Sequence, residues 1–178
     1  MPRPGGSLST PSRNSLPNRR LTIISGGQTG VDRAALDVAI ELRLPYRGFV
    51  PQGRWAEDGR IPSNYKELTE CDSSDPVVRT RLNVENSDAT LILSHGKLVG
   101  GSLVTWQTAR STRKPCLHID LDRNSDDAAV EKIRLWLRNG DFDDLNVAGS
   151  RASKDPDIYE HIREILRRVL ADEPKNDY

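Results

Sequence analysis

Five short runs of aliphatic and β-branched residues, separated by longer stretches of helical periodicity, constrain this chain most. The runs are Leu21 to Ile24, Tyr46 to Val50, Ala89 to Leu93, Cys116 to Ile119 and Leu145 to Ala148. Alternation of this kind is how strand–helix–strand units of a parallel sheet appear in sequence. After the first run, Val31, Ala34, Ala35, Val38, Ala39 and Leu42 recur on one helical face, and their small side chains let a helix approach a sheet closely. Near the other end Ile158, Ile162, Ile165, Leu166 and Val169 repeat the pattern, with Asp155 as expected N-cap and Pro156 as first helical residue. Further helices are expected at about Tyr65 to Glu70, Arg79 to Ser87, Gly101 to Thr112 and Asp127 to Arg138.

The 178 residues suit one core. We therefore expect a single ligand-binding domain over 21–171, an α/β fold of three α/β/α layers, Rossmann-like, with a mainly parallel sheet. Residues 1–20, rich in Pro, Ser, Asn and Arg, read as a flexible tail, and 172–178 as a frayed end. Lys plus Arg and Asp plus Glu both number 26, so no net positive field draws the chain to nucleic acid or to a membrane. No apolar stretch is long enough to span a bilayer, and residues 1–19 lack the apolar centre of a secretory leader. Cys71 and Cys116 stand alone, without disulfide or zinc spacing. The expected location is the cytoplasm.

Three turns follow strands and carry chemistry. In Ser25-Gly26-Gly27-Gln28-Thr29-Gly30-Val31-Asp32, the glycines allow close backbone approach and the following helix offers amides and the positive end of its dipole, which favour phosphate. Thr29 and Asp32 have capping-box spacing, so Asp32 is either structural or an acid–base candidate. Gly100-Gly101-Ser102, with Thr105 one turn on, offers a second helix start, and Gly149-Ser150-Arg151-Ala152-Ser153-Lys154 adds hydroxyls and a guanidinium. In a parallel sheet, turns at the carboxyl ends of strands share one crevice. There is neither a Gly-Lys-Ser/Thr loop nor G-x-G-x-x-G followed by an acid, which argues against standard ATP hydrolysis and hydride transfer.

Six ordered blocks carry a family resemblance: Ser25 to Asp37, Arg54 to Pro62, Val78 to Leu93, Gly100 to Ala109, Lys114 to Asp120 and Leu145 to Glu160. Over roughly Leu21 to Leu170 the chain resembles the molybdenum cofactor carrier proteins, the circularly permuted, YpsA-related branch of the SLOG superfamily. The resemblance implies a Rossmann-like sheet, homo-oligomeric assembly with a tetramer as one form, and carriage of molybdenum cofactor, a phosphate-bearing pterin whose dithiolene holds the metal. No protein-ligated metal is then needed. A molybdoenzyme or a cofactor-synthesis protein is the implied partner.

Carried onto this sequence, the implied contacts are Gly26, Gly27, Gln28, Thr29, Gly30 and Arg33 in the first block, and Arg79, Thr80 and Asn83 ahead of the Ala89 run. Gly100, Gly101, Ser102 and Thr105 follow, then Gly149, Ser150, Arg151 and Ser153. Arg79 and Asn83, four apart, are equally well read as a solvated helix face. The chain departs from the common pattern at Ser102, where many relatives have Thr, and at Ser150, where they commonly have Pro. The nucleotide-hydrolysing branch of the superfamily has a further glycine and a glutamate after its Gly-Gly pair, whereas this chain has Leu103, Val104 and Thr105. That departure disfavours glycosidic cleavage, which needs a carboxylate at the sugar.

Trp55 and Trp106 are candidates either for pterin stacking or for packing, and Arg54 with Trp55 to Pro62 for a rim or lid. His95, His118 and His161 lack metal spacing. The leading expectation is a non-catalytic carrier. The alternatives are a nucleotide enzyme using Asp32, Asp88 or Glu57, and a nucleotide-sensing domain with the same pocket.

Overall fold

The computed structural model describes residues 21–171, so the expected tails at 1–20 and 172–178 lie outside the described residues. Alternating strands and helices follow the sequence pattern closely: β1 (Thr22–Ile24), α1 (Val31–Glu41), β2 (Tyr46–Val50), a short hairpin β3 (Trp55–Ala56) and β4 (Gly59–Arg60), and β5 (Leu68–Glu70). The second part contains α2 (Pro76–Glu85), β6 (Ala89–Ser94), α3 (Gly100–Ser111), β7 (Cys116–Asp120), α4 (Asp126–Asn139), β8 (Asp144–Gly149) and α5 (Ile158–Leu170).

Six strands form one parallel sheet in the order β5-β2-β1-β8-β6-β7. The last strand, β8, lies between β1 and β6, with Leu145 opposite both Ile23 and Ala89. Helices α1, α4 and α5 pack together on one face, and α2 packs on α3 on the other, which gives the three layers of a Rossmann-like fold. On the first face Ile23, Leu91, Leu93, Leu145 and Val147 meet Val31, Ala35, Val38, Ile133, Ile162 and Ile165 in the main core. The all-buried strand β6 has solid aliphatic character because both of its faces are covered. Polar groups on its other face are paired: Asn146 Nδ2 donates to Thr90 Oγ1 at 3.3 Å. Cys71 is buried and Cys116 half-buried, where burial pushes the thiol up to about 11 and leaves it an inert filler.

Two expectations change. Tyr65 to Glu70 is not helical: Leu68–Glu70 pairs in parallel with Gly48–Val50, and Leu68 joins Leu36, Val50, Ile61 and Tyr65 in a second small core. A short segment with little helical nucleus gains more from an unfilled sheet edge than from one helical turn. The start of α5 also shifts, from Pro156 to Ile158, with Asp157 as N-cap and no side-chain cap bond. The Asp155 carboxylate instead meets His95 Nδ1 at 2.7 Å, so a tertiary contact outcompetes the local cap. Elsewhere the local rules hold: Asp75 caps α2 through the Val77 amide at 2.9 Å, with Pro76 at the first helical position.

Candidate functional site

Because β1, β8 and β6 are neighbours in the sheet, the segments that leave their carboxyl ends emerge side by side. Those segments are the three glycine-bearing turns, and they line one cleft of about 430 Å³ together with α2. Gln28 represents the first turn, Gly100, Gly101 and Ser102 the second, and Gly149, Ser150 and Arg151 the third. Arg79 and Thr80 close the α2 side. The volume is in the ordinary range for small-molecule sites. A second groove, about 550 Å³, lies between α2 and α3 and is lined by Val77, Arg81, Val104 and Gln107 among others. It contains none of the glycine turns, and we place the candidate site in the first cleft on chemical grounds.

The first turn acts mainly as a hinge block for its neighbours. Gly30 has φ +78, and a Cβ there would come within 2.3 Å of the Ser150 carbonyl oxygen, so only glycine lets the first and third turns cross. A Cβ at Gly26 would come within 1.8 Å of Arg79 Nη1. Amides expected to face a ligand are spent within the protein: Val31 N–H donates to Ser150 O at 3.1 Å and Gln28 N–H to Asp32 Oδ2 at 3.3 Å. The Thr29/Asp32 capping box does not form, because Asp32 reaches the Gln28 amide while Thr29 Oγ1 accepts from Ala152 N–H at 3.1 Å.

Asp32 is buried and lies 3.2 Å from Arg79 Nη1, whose side chain is 13% exposed. Burial raises the Asp32 carboxyl above its usual value, opposed by the Arg79 charge and by hydrogen bonds from the Gln28 and Gly26 amides. Arg79 Nε is buried and has no partner among the described residues.

The second turn has a different character. A Cβ at Gly100 or Gly101 would meet no atom within 4 Å, so the start of α3 is open toward the cleft. Ser102 Oγ donates to Val99 O at 2.8 Å and accepts from Val99 N–H at 3.3 Å, which fixes the helix start. Thr105 Oγ1 donates to Gly101 O at 2.9 Å. The third turn is held against β6 by Ser150 N–H to Leu93 O at 3.2 Å, and a Cβ at Gly149 would lie 2.0 Å from that oxygen. Arg151 and Lys154 supply positive charge from this side.

A model of the circularly permutated YpsA SLOG family matches residues 23–170. The chain belongs to that family. A comparison with curated proteins finds no match. In the crystal structure of a protein from Syntrophus aciditrophicus named "putative molybdenum carrier protein", the similarity amounts to 51% identity and a TM-score of 0.83, over 86% of this chain and 97% of that one.

Within this SLOG family member, the expected contacts divide. Gln28, Arg79, Thr80, Gly100, Gly101, Ser102, Thr105, Gly149, Ser150 and Arg151 line the cleft, whereas Gly26, Gly27, Thr29, Gly30, Arg33, Asn83 and Ser153 lie behind or beside it. Asn83 is a clamp on β2: its Oδ1 accepts from Phe49 N–H at 2.7 Å and its Nδ2 donates to Phe49 O at 3.0 Å. Arg33 binds Gly27 O at 3.2 Å and the Asp58 carboxylate of the β3–β4 hairpin. Arg54 does not overhang the cleft but staples its own loop, donating to Leu68 O, Pro62 O and Tyr65 O. Neither Trp55 nor Trp106 lines the cleft: Trp55 is 62% exposed on the hairpin, and Arg110 lies 4.8 Å over the Trp106 ring.

His95 turns away to Asp155 and stacks on His161, while His118 Nε2 is 2.9 Å from Ser94 Oγ and its burial lowers its pKa against the pull of Asp120. Sequence reasoning left out Lys154, whose signal was its place in the same turn as Arg151. It also missed Glu57 as a structural lock, since its partners Thr29 and Ser153 are 28 and 96 residues away.

Proposed function

We propose that this chain is a non-catalytic carrier of molybdenum cofactor, binding its phosphate and pterin in the cleft and protecting the metal dithiolene until transfer. The observation that carries the reading is the open start of α3 at Gly100 and Gly101, in a cleft to which Arg151 and Lys154 bring positive charge and where Arg79 is paired with Asp32. Backbone amides at a helix start and guanidinium groups are the donors a phosphate requires. Arg79 Nε, buried and without a partner among the described residues, fits a site that still has a donor to offer. The name of the 51% identical protein supports molybdenum as the cargo. The metal would arrive within its pterin, so the chain's own work is to bind, orient and exclude water. We place this activity in the cytoplasm, in a homo-oligomer that receives the cofactor from its synthesis or hands it to a molybdoenzyme.

The enzymatic alternative needs a free acid or base. Asp88 Oδ2 accepts the Asp143 and Asp144 amides at 2.9 Å each, Glu57 is tied to the third turn, and Asp32 faces Arg79. These engagements favour storage over turnover. The test is to load the purified protein with cofactor released from a donor enzyme, remove free ligand, and assay reconstitution of a cofactor-free acceptor. Retained, transferable cofactor that is lost in Arg151→Ala is the expected result. No retention by the wild type, together with turnover of a nucleotide panel that is abolished in an Asp32→Asn protein shown to remain folded, would replace the carrier reading with an enzymatic one. Nucleotide binding without turnover, coupled to a partner, would replace it with a sensor.

A further inference from the structure

One cluster of phosphate-type donors beside the cleft is already filled by an anion of the chain itself. Glu57 sits at the tip of the β3–β4 hairpin. Its Oε1 accepts from Ser153 N–H at 2.9 Å and is bonded by Thr29 Oγ1. Its Oε2 accepts from Ser153 Oγ at 2.5 Å and lies 3.9 Å from Arg151 Nη1. An amide, two hydroxyls and a guanidinium suit a tetrahedral oxyanion as well as they suit a carboxylate. The Glu57 side chain is 19% exposed, while the residue as a whole stands exposed at the hairpin tip. A second pair of contacts fixes the hairpin: Gln28 Oε1 accepts the Glu57 and Thr29 amides at 3.0 Å each, and Asp58 pairs with Arg33. Gln28 and Arg151 also line the cleft, so the hairpin latch and the ligand site share residues.

We propose that Glu57 is a built-in competitor for phosphate: a phosphate dianion takes over the Thr29, Ser153 and Arg151 donors, Glu57 leaves as a carboxylate, and the hairpin detaches from the third turn. The inference rests on the reading of the cleft as a phosphate site and gates its Arg151 side, a position separate from the start of α3. Apparent affinity then falls by the fraction of time the donors are free. Glu57→Gln removes the competing charge while keeping the side-chain shape and the Asp58 anchor. A tenfold gain in phosphate affinity is the expected size, equivalent to about 1.4 kcal/mol.

The test titrates the full chain with inorganic phosphate at constant ionic strength by calorimetry, using wild type, Glu57→Gln and the distant charge control Glu131→Gln. Hydrogen exchange over residues 56–59 is followed in wild type with and without saturating phosphate. We expect about tenfold tighter binding in Glu57→Gln, no change in Glu131→Gln, and faster hairpin exchange in phosphate-bound wild type. Equal or weaker binding by a folded Glu57→Gln, no phosphate binding by either protein, or hairpin exchange that is unchanged or slowed would each overturn the proposal. A melting curve shows whether Glu57→Gln is folded; should it not be, the wild-type exchange result decides alone. Failure here with cofactor retention intact removes the gate and leaves the carrier reading standing, whereas loss of both removes the phosphate site.

Discussion

A single methyl group at position 101 separates packing from binding. Gly101 is the second residue of α3, with Val99 as N-cap, and a Cβ there would meet no atom within 4 Å. Gly101→Ala therefore introduces no clash. It also reduces the freedom of the unfolded chain, so stability should be unchanged or should rise by at most about 1 kcal/mol. Because Gly101 lines the cleft, the methyl enters the space beside the helix start, where a phosphate must come within hydrogen-bond reach of the amides. Loss of one or two charge-assisted bonds, each about 1.5–3 kcal/mol, weakens cofactor retention by tenfold or more. Urea unfolding gives the first quantity, and the retention and reconstitution assay gives the second. Retention equal to wild type in a folded Gly101→Ala protein would show that the start of α3 is not where the anion sits. Loss of stability would show instead that the surroundings of Gly101 are tighter than the open geometry described above.

Asn83→Ala should act oppositely. It leaves the Phe49 N–H and C=O without their partners, at a cost of about 2–4 kcal/mol by denaturation, while the fraction that remains folded keeps its ligand affinity. Asp32→Asn strands the Arg79 guanidinium in a largely buried position, and a loss of about 2–4 kcal/mol in unfolding free energy is expected. The hairpin should respond to acid. Burial pushes the Glu57 carboxyl up, but hydrogen bonds from Ser153 and Thr29 and the Arg151 charge outweigh it. Asp58 is lowered chiefly by its hydrogen bonds from Arg33. A depressed folded value means that the contribution is complete above the ordinary carboxylate value and is lost as pH falls through the folded one. Protection of the residue 55–60 amides, taken as their exchange rate relative to the intrinsic rate at each pH, should therefore stay constant above about pH 5, near the top of the ordinary carboxylate range, and fall only below it. Protection that is lost on approaching pH 7 from below would contradict this sign.

Most of the sheet was legible because each central strand is covered on both faces and must be aliphatic; β6 is the clearest case. The amphipathic faces of α1 and α5 were legible for the same reason, since one stripe of each is in the main core. Short elements at the edge were not: β5 is defined by its pairing with β2, and the two-residue strands β3 and β4 by each other. At the site, the glycines and the Arg151 turn could be picked out as types. Their separate duties could not, because Gly30 is required by the Ser150 backbone, Gly26 leaves room for the Arg79 guanidinium, and Gly101 meets no contact of the protein.

Local chemistry in the sequence thus determined which segments form the central strands, which helical faces pack on them and which turns carry glycines, hydroxyls and basic side chains. Only the tertiary structure decided that β8, last in the chain, inserts between β1 and β6, which makes three distant turns neighbours. It also decided that Asp32 and Glu57 meet donors of those turns. Strand order and long-range ion pairing depend on which surfaces become adjacent when the layers close, and no residue's own periodicity or propensity encodes that adjacency.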